Sequence, residues 1–256
     1  MLRRIYFSTK SFLSSILFPR ICVGCGSDIR WICDECLKTI DIIKQPFCPE
    51  CRRVTEMGEF CENCRSRYDL DGIFICANFE DGVLKEAVHH FKYNYISDSG
   101  GILGKLLSGK LISVRQKDKN KIIPDFDVVV PVPLHKKRLR QRGFNQAEVL
   151  ARVICRDTRP CVSTGDKMVL DNKILVRKKY TIPQAELGRE KRLENLKDVF
   201  EFVGIDSYQS LRTIQDKNIL LVDDITTTGA TLEECAKVLK KNGAKKVWGI
   251  VLAKGK

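Results

Sequence analysis

Apolar and polar positions change their pattern near Asp69, and the change divides the chain. Beyond it, short apolar runs trade places with stripes recurring every three to four residues. GIFICANFE (72–80), DFDVVVPVP (125–133), KILVR (173–177), VFEFV (199–203), NILLVDD (218–224) and KKVWGIVLA (245–253) read as strands, the second ended by Pro131 and Pro133. VLKEAVHHF (83–91) and GGILGKLLS (100–108) read as helices. So does FNQAEVLARVICR (144–156), where Asn145 with Glu148 three residues later is a helix-start signature. A last helix carries Leu232, Cys235, Ala236 and Leu239 on one face and stops at Asn242-Gly243. Strands alternating with helices predict an α/β domain over 69–256 built on a mainly parallel sheet covered on both faces.

Before the change, the pattern belongs to cysteine. Eight of twelve cysteines form CxxC pairs: Cys22/Cys25, Cys33/Cys36, Cys48/Cys51 and Cys61/Cys64. A CxxC turn offers two thiolates from one tight knuckle, and two turns complete a tetrahedral zinc site. The spacing predicts a zinc module over 21–68 with about two structural ions, paired sequentially, with interleaved pairing the alternative. Gly24, Gly26 and Pro49 suit knuckle backbone. Such pairing points to a reducing, cytoplasmic compartment rather than a disulfide framework.

The opening, MLRRIYFSTKSFLSSILFP, imitates a secretory signal. Lys10 and four serines break its apolar part, and no small-residue cleavage site follows. It reads as an amphipathic helical lead-in over 1–20 closed by Pro19, with membrane-surface contact the alternative. No window approaches the ~18 to 20 apolar residues of a membrane span, so stable insertion is not expected. Eight thiolates and two zinc ions lower the formal +13 by four, which leaves a basic chain suited to an anionic partner.

The sharpest chemistry lies in ILLVDDITTTGAT (219–231), where an apolar strand runs into two acids, three threonines and a glycine before a helix. Ligands of open α/β sheets bind at that strand edge. Gly229 and Ala230 let backbone N–H groups converge at a helix start, and Thr227, Thr228 and Thr231 add hydroxyls, which makes a phosphate cradle. No lysine of the triphosphate-hydrolysing kind is present in the loop. Asp223 and Asp224 stand where carboxylates accept hydrogen bonds from ribose hydroxyls. A second strand end opens onto a basic run with His135, Lys136, Lys137, Arg138, Arg140 and Arg142. Cations there suit pyrophosphate, and with Phe144 as a stacking platform they equally suit single-stranded nucleic acid.

ILLVDDITTTGAT resembles the phosphoribosyl pyrophosphate (PRPP) motif of type I phosphoribosyltransferases. VPLHKKRLRQRGFNQAEVLAR, then Gln184, Leu187, Arg192, Asn195 and Phe200, then the acid-threonine loop, resemble the ComF family of competence-related proteins over about residues 20–252. The resemblance implies a double zinc ribbon before a phosphoribosyltransferase-like domain. It implies that Asp223 and Asp224 hold the PRPP ribose and that Thr226 to Thr231 form the 5-phosphate loop. Arg138, Arg140, Arg142 and Gly143 fall on the pyrophosphate side, and Arg177 to Asn195, including Arg192, form a hood. Mg²⁺ accompanies PRPP in this picture, and single-stranded DNA and DNA-uptake proteins are the implied partners. Three readings follow: a PRPP-binding module in DNA uptake, an active transferase with Asp223, Asp224, Arg142 and Arg192 in catalysis, or an adaptor that leaves the aspartates unused. None of His89, His90 and His135 is assigned as a general base.

Overall fold

A computed structural model describes residues 21–28, 30–80, 82–93, 99–158, 168–180, 198–203 and 214–255. The expected lead-in helix over 1–20 and most of the expected hood, with Gln184, Leu187, Arg192 and Asn195, lie outside the described residues.

Two short helices, α1 (Asp34–Lys38) and α2 (Glu62–Arg65), belong to the cysteine module. There follow β1 (Gly72–Asn78), α3 (Gly82–Tyr93), α4 (Ser99–Lys117), β2 (Val128–Pro131), α5 (Lys136–Arg142) and α6 (Gln146–Asp157). The chain continues with β3 (Val169–Leu170), β4 (Leu175–Arg177), β5 (Phe200–Phe202), β6 (Asn218–Thr226), α7 (Ala230–Lys241) and β7 (Lys246–Lys254). Among the described residues, five strands form a wholly parallel sheet in the order β1-β7-β6-β2-β3.

Period-two alternation supplies both layers. Phe74, Val129, Leu220, Val222, Trp248 and Ile250 face α3, α4 and α6, while Ile73, Val130, Leu221 and Val251 face α7. Burial on both faces explains why these strands read as continuous apolar runs. On the first side α4 lies close against α6, because Gly104 has no Cβ where Val153 packs; a Cβ there would come within 2.5 Å of it.

Two expectations are corrected, and one strand is added to those read from the sequence. KILVR and VFEFV do not join the parallel sheet; β4 and β5 pair antiparallel as a separate ribbon whose Leu175 and Phe200 pack on the α7 side. The edge strand β3, beside β2, carries too short an apolar run to stand out. The basic run is a helix, not a loop: Lys, Arg, Leu and Gln are good helix formers. The imidazole Nδ1 of His135 caps it by accepting from the Lys137 N–H at 3.2 Å, and Gly143 closes it in the left-handed region at φ 76°.

The cysteine module lies along the outer edge of β1. The Ile43 N–H donates to Cys76 O at 2.9 Å, Asn78 N–H to Asp41 O at 3.2 Å, and Ile73 N–H to Gly58 O at 2.9 Å. An edge strand left bare would be a template for unwanted pairing, and here the metal-binding segment covers it. Buried Glu233 of α7 accepts from the Asp69 and Leu70 N–H groups, which fastens the junction between the two regions.

Candidate functional site

The sulfurs fall into two groups, Cys22/Cys25/Cys33/Cys36 and Cys48/Cys51/Cys61/Cys64, with the ligand atoms of each within 4.8 Å of one another. This is the sequential pairing. Cys25 and Cys33 Sγ stand 3.7 Å apart, Cys51 and Cys61 Sγ 3.5 Å, against a tetrahedral edge of about 3.8 Å for Zn–S bonds of about 2.3 Å. Backbone N–H of Cys33 points at Cys22 Sγ, and the Arg67 guanidinium donates to Cys64 Sγ at 3.1 Å, contacts that suit thiolates. Gly24 leaves room for Cys36 Sγ, which a Cβ would meet at 2.7 Å, and Gly26 takes φ 77°. Four sulfurs in each group, with no further donor among the described residues, fit two structural zinc ions.

At the carboxyl edge of the sheet, β2 ends with Pro131 opposite Val222. β6 runs on past it, so Asp223 and Asp224 emerge where one neighbouring strand has stopped. Alternation sends the two side chains to opposite faces. Asp224, buried on the α3 side, pairs with Lys92 Nζ at 3.0 Å. Asp223 lies on the other side, near Arg177 and Cys235. Burial, reinforced by the adjoining Asp224 carboxylate, pushes Asp223 up to about 7, against the lowering effects of its own N–H partner, Lys92 and Arg177. Burial works the other way on Arg177, which, with Arg138 close by, is pushed below the usual guanidinium range.

Asp223, Asp224, Lys92 and Arg177 line one cleft of about 330 Å³, together with Tyr93, Arg138, Arg142, Asn145, Gln146, Thr227 and Thr231. The 223–231 segment therefore opens onto an accessible hollow rather than a sealed core. Within the loop the threonines divide their work. Thr226 Oγ1 accepts from the Gly229 N–H at 3.0 Å and Thr228 Oγ1 from the Ala230 N–H at 3.3 Å, so these two hydroxyls shape the turn. Gly229 sits at φ 83°, and only Thr227 and Thr231 of the threonines reach the cleft wall. The amides of Gly229 and Ala230, expected as phosphate donors, are committed to those hydroxyls.

The basic helix also divides. Arg138 and Arg142 line the cleft, whereas Lys136, Lys137 and Arg140 are exposed outside it, and Gly143 serves as the helix cap. Tyr180 lies against the same helix, with Lys137 Nζ 4.7 Å from its ring centroid. Phe144, expected as a stacking platform, is half-buried with its ring 5.5 Å from Phe91 and packs against the core. His89 and His90 stay off the cleft. Sequence reasoning missed Lys92, Tyr93 and Gln146. Their one signal was position near helix ends, and no pattern announced which strand edge those ends would meet.

An acid pair and threonine loop closing the central strand of a parallel α/β sheet, behind two four-cysteine centres, define the class: a phosphoribosyltransferase-type domain joined to a double zinc ribbon. Comparison with known proteins agrees. A double zinc ribbon domain matches residues 13–65 and a phosphoribosyl transferase domain residues 143–256. The chain is 28% identical to competence protein F of Haemophilus influenzae over 91% of its own length and 96% of that protein. It is 29% identical to competence protein ComFC of Streptococcus pneumoniae over 86% of each, and 26% identical to DNA utilization protein YhgH of Escherichia coli K12 over 88% of this chain and 93% of the other. The chain is similar to these ComF-type competence proteins along nearly its whole length. Among the described residues, no helix is long and apolar enough to cross a membrane.

Proposed function

We propose that this is a cytoplasmic PRPP-binding protein that supports DNA uptake in natural transformation and handles incoming single-stranded DNA on its basic surface. One observation carries the reading: a single cleft presents Asp223, Asp224, Thr227 and Thr231 together with Arg138, Arg142 and Arg177. Carboxylates suit ribose hydroxyls, threonine hydroxyls the 5-phosphate, and guanidinium forks the pyrophosphate. The oxygen donors of Asp223 and Asp224 suit Mg²⁺, which when bound would offset pyrophosphate charge. The relatives' names speak of competence and DNA utilization. The split of α5 supports two anionic partners, with cleft arginines for the sugar phosphate and exposed Lys136, Lys137 and Arg140 for a nucleic acid backbone.

The test is paired. PRPP with Mg²⁺ is titrated by calorimetry, and a single-stranded oligonucleotide is titrated across a salt series. Charge reversal at Lys136, Lys137 and Arg140 should weaken DNA binding, flatten its salt dependence and spare PRPP. Asp223→Asn with Asp224→Asn should do the reverse. Absence of PRPP binding by the unaltered protein would sink the reading.

A second reading, active transfer of the phosphoribosyl group to a nitrogen acceptor, is favoured by Asp223. A carboxyl titrating near 7 can take a proton from an attacking nitrogen at neutral pH. Pyrophosphate release with candidate amines and bases separates the two, and binding without release supports the module.

A further inference from the structure

One wall of the cleft holds a group that the fold does not need. Gln146 opens α6 directly after its cap Asn145 and is only 2% exposed. Arg142 Nη1 donates to its Oε1 at 3.0 Å. A guanidinium donates and never accepts, so this contact fixes which end of the amide is oxygen and which is nitrogen. Nε2 then presents two N–H groups elsewhere, and it has no hydrogen-bond partner among the described residues. The side chain lines the cleft beside Arg142. From the loop after β6 the buried hydroxyl of Thr227 lines the same cleft, equally without a partner. Joining α5 to α6 explains Oε1. It does not explain a buried amide donor left unmatched, which weakens the fold.

We infer that Gln146 reads the ligand: its Nε2 donates, alongside Arg142, to an anionic oxygen of the pyrophosphoryl group. The inference deepens the PRPP reading and rests on it. It also gives the ligand a direction. A wall of donors repels the N–H groups of a nitrogen nucleophile, so the pyrophosphoryl end points toward α6, while the ribose lies toward the acids of β6. Gln146 is a positioning residue that binds through its amide and exchanges no proton.

The experiment uses the full chain with zinc, inorganic pyrophosphate plus Mg²⁺ and, separately, PRPP plus Mg²⁺, read by calorimetry, with thermal melts of the unliganded protein. Gln146→Met keeps length and removes the donor. Pyrophosphate affinity should fall about tenfold to a hundredfold, the range for a hydrogen bond to a charged oxygen, while Tm without ligand holds or rises. Gln146→Glu keeps an acceptor for Arg142 but turns an acceptor toward the ligand, so affinity should fall further with the fold intact. Variants that lose Tm yet bind pyrophosphate as tightly as the parent would overturn the inference and leave the cleft reading standing. A parent protein that binds neither pyrophosphate nor PRPP would overturn both.

Discussion

Asp223→Asn should make the protein's stability less dependent on pH, and the size of the effect follows from the acid pair. Burial holds the Asp223 carboxyl near 7 in the folded chain, against an ordinary value of 3.8 once unfolded. A raised carboxyl favours folding while protonated, so its contribution is present at low pH and is lost as pH climbs through 7. From pH 5.5 to 8 the parent loses most of the contribution that lies between 5.5 and 7. At about 1.36 kcal/mol per pH unit this is about 2 kcal/mol, an upper figure because cleft water reaches a half-buried side chain. The amide does not titrate, so the variant should escape this loss and be more stable than the parent at pH 8, by an amount that shrinks toward pH 5.5. Urea denaturation of both proteins, with zinc present at each pH, measures it; zinc thiolates titrate identically in the pair and cancel. Parallel pH curves would mean that Asp223 is already ionised at 5.5, and the acid pair would then lose its claim to a neutral-pH proton.

Two glycines on α4 should respond with opposite signs. Gly104→Ala forces a Cβ into Val153 at 2.5 Å and should destabilise by about 1–3 kcal/mol in denaturant melts, whereas Gly109→Ala meets nothing within 4 Å and should stabilise by about 0.5–1 kcal/mol. Freshly purified protein should carry about two zinc ions by elemental analysis, and Cys64→Ser should lower that to about one, with a lower Tm and weaker PRPP binding.

How much of this was readable beforehand depended on whether a feature is local. The junction from Ile219 to Leu239 was readable because strand, acids, small residues and amphipathic helix all express themselves in consecutive residues. The zinc centres were readable because ligand spacing is nearly the whole of their geometry. The β4–β5 ribbon was not, since an alternating segment declares a face and never a partner. The α5 helix was hidden by its charge and by Pro131 and Pro133, although helix-forming residues and a glycine stop were in place. Lys92 lies over a hundred positions from Asp224, and only the packing of α3 against the sheet brings them to 3.0 Å. Gln146 could be seen as a helix start, while its orphaned amide depends on Arg142 taking the other end.

The metal module is better understood as part of the site's scaffold than as an appendage. Pro49, inside the second zinc knuckle, accepts a hydrogen bond from Lys254 Nζ at the end of β7. Lys254 stands in register with Thr226 of β6, and the Gly255 N–H donates to Thr226 O at 2.8 Å. Thr226 Oγ1 in turn holds the Gly229 N–H and so sets the turn that presents Thr227 and Thr231 to the cleft. The links are made by backbone or by buried and half-buried side chains, so a knuckle without its metal would loosen the strand end from which the 223–231 loop hangs. Loss of the second zinc should therefore register at the ligand cleft, even though no cysteine lines it.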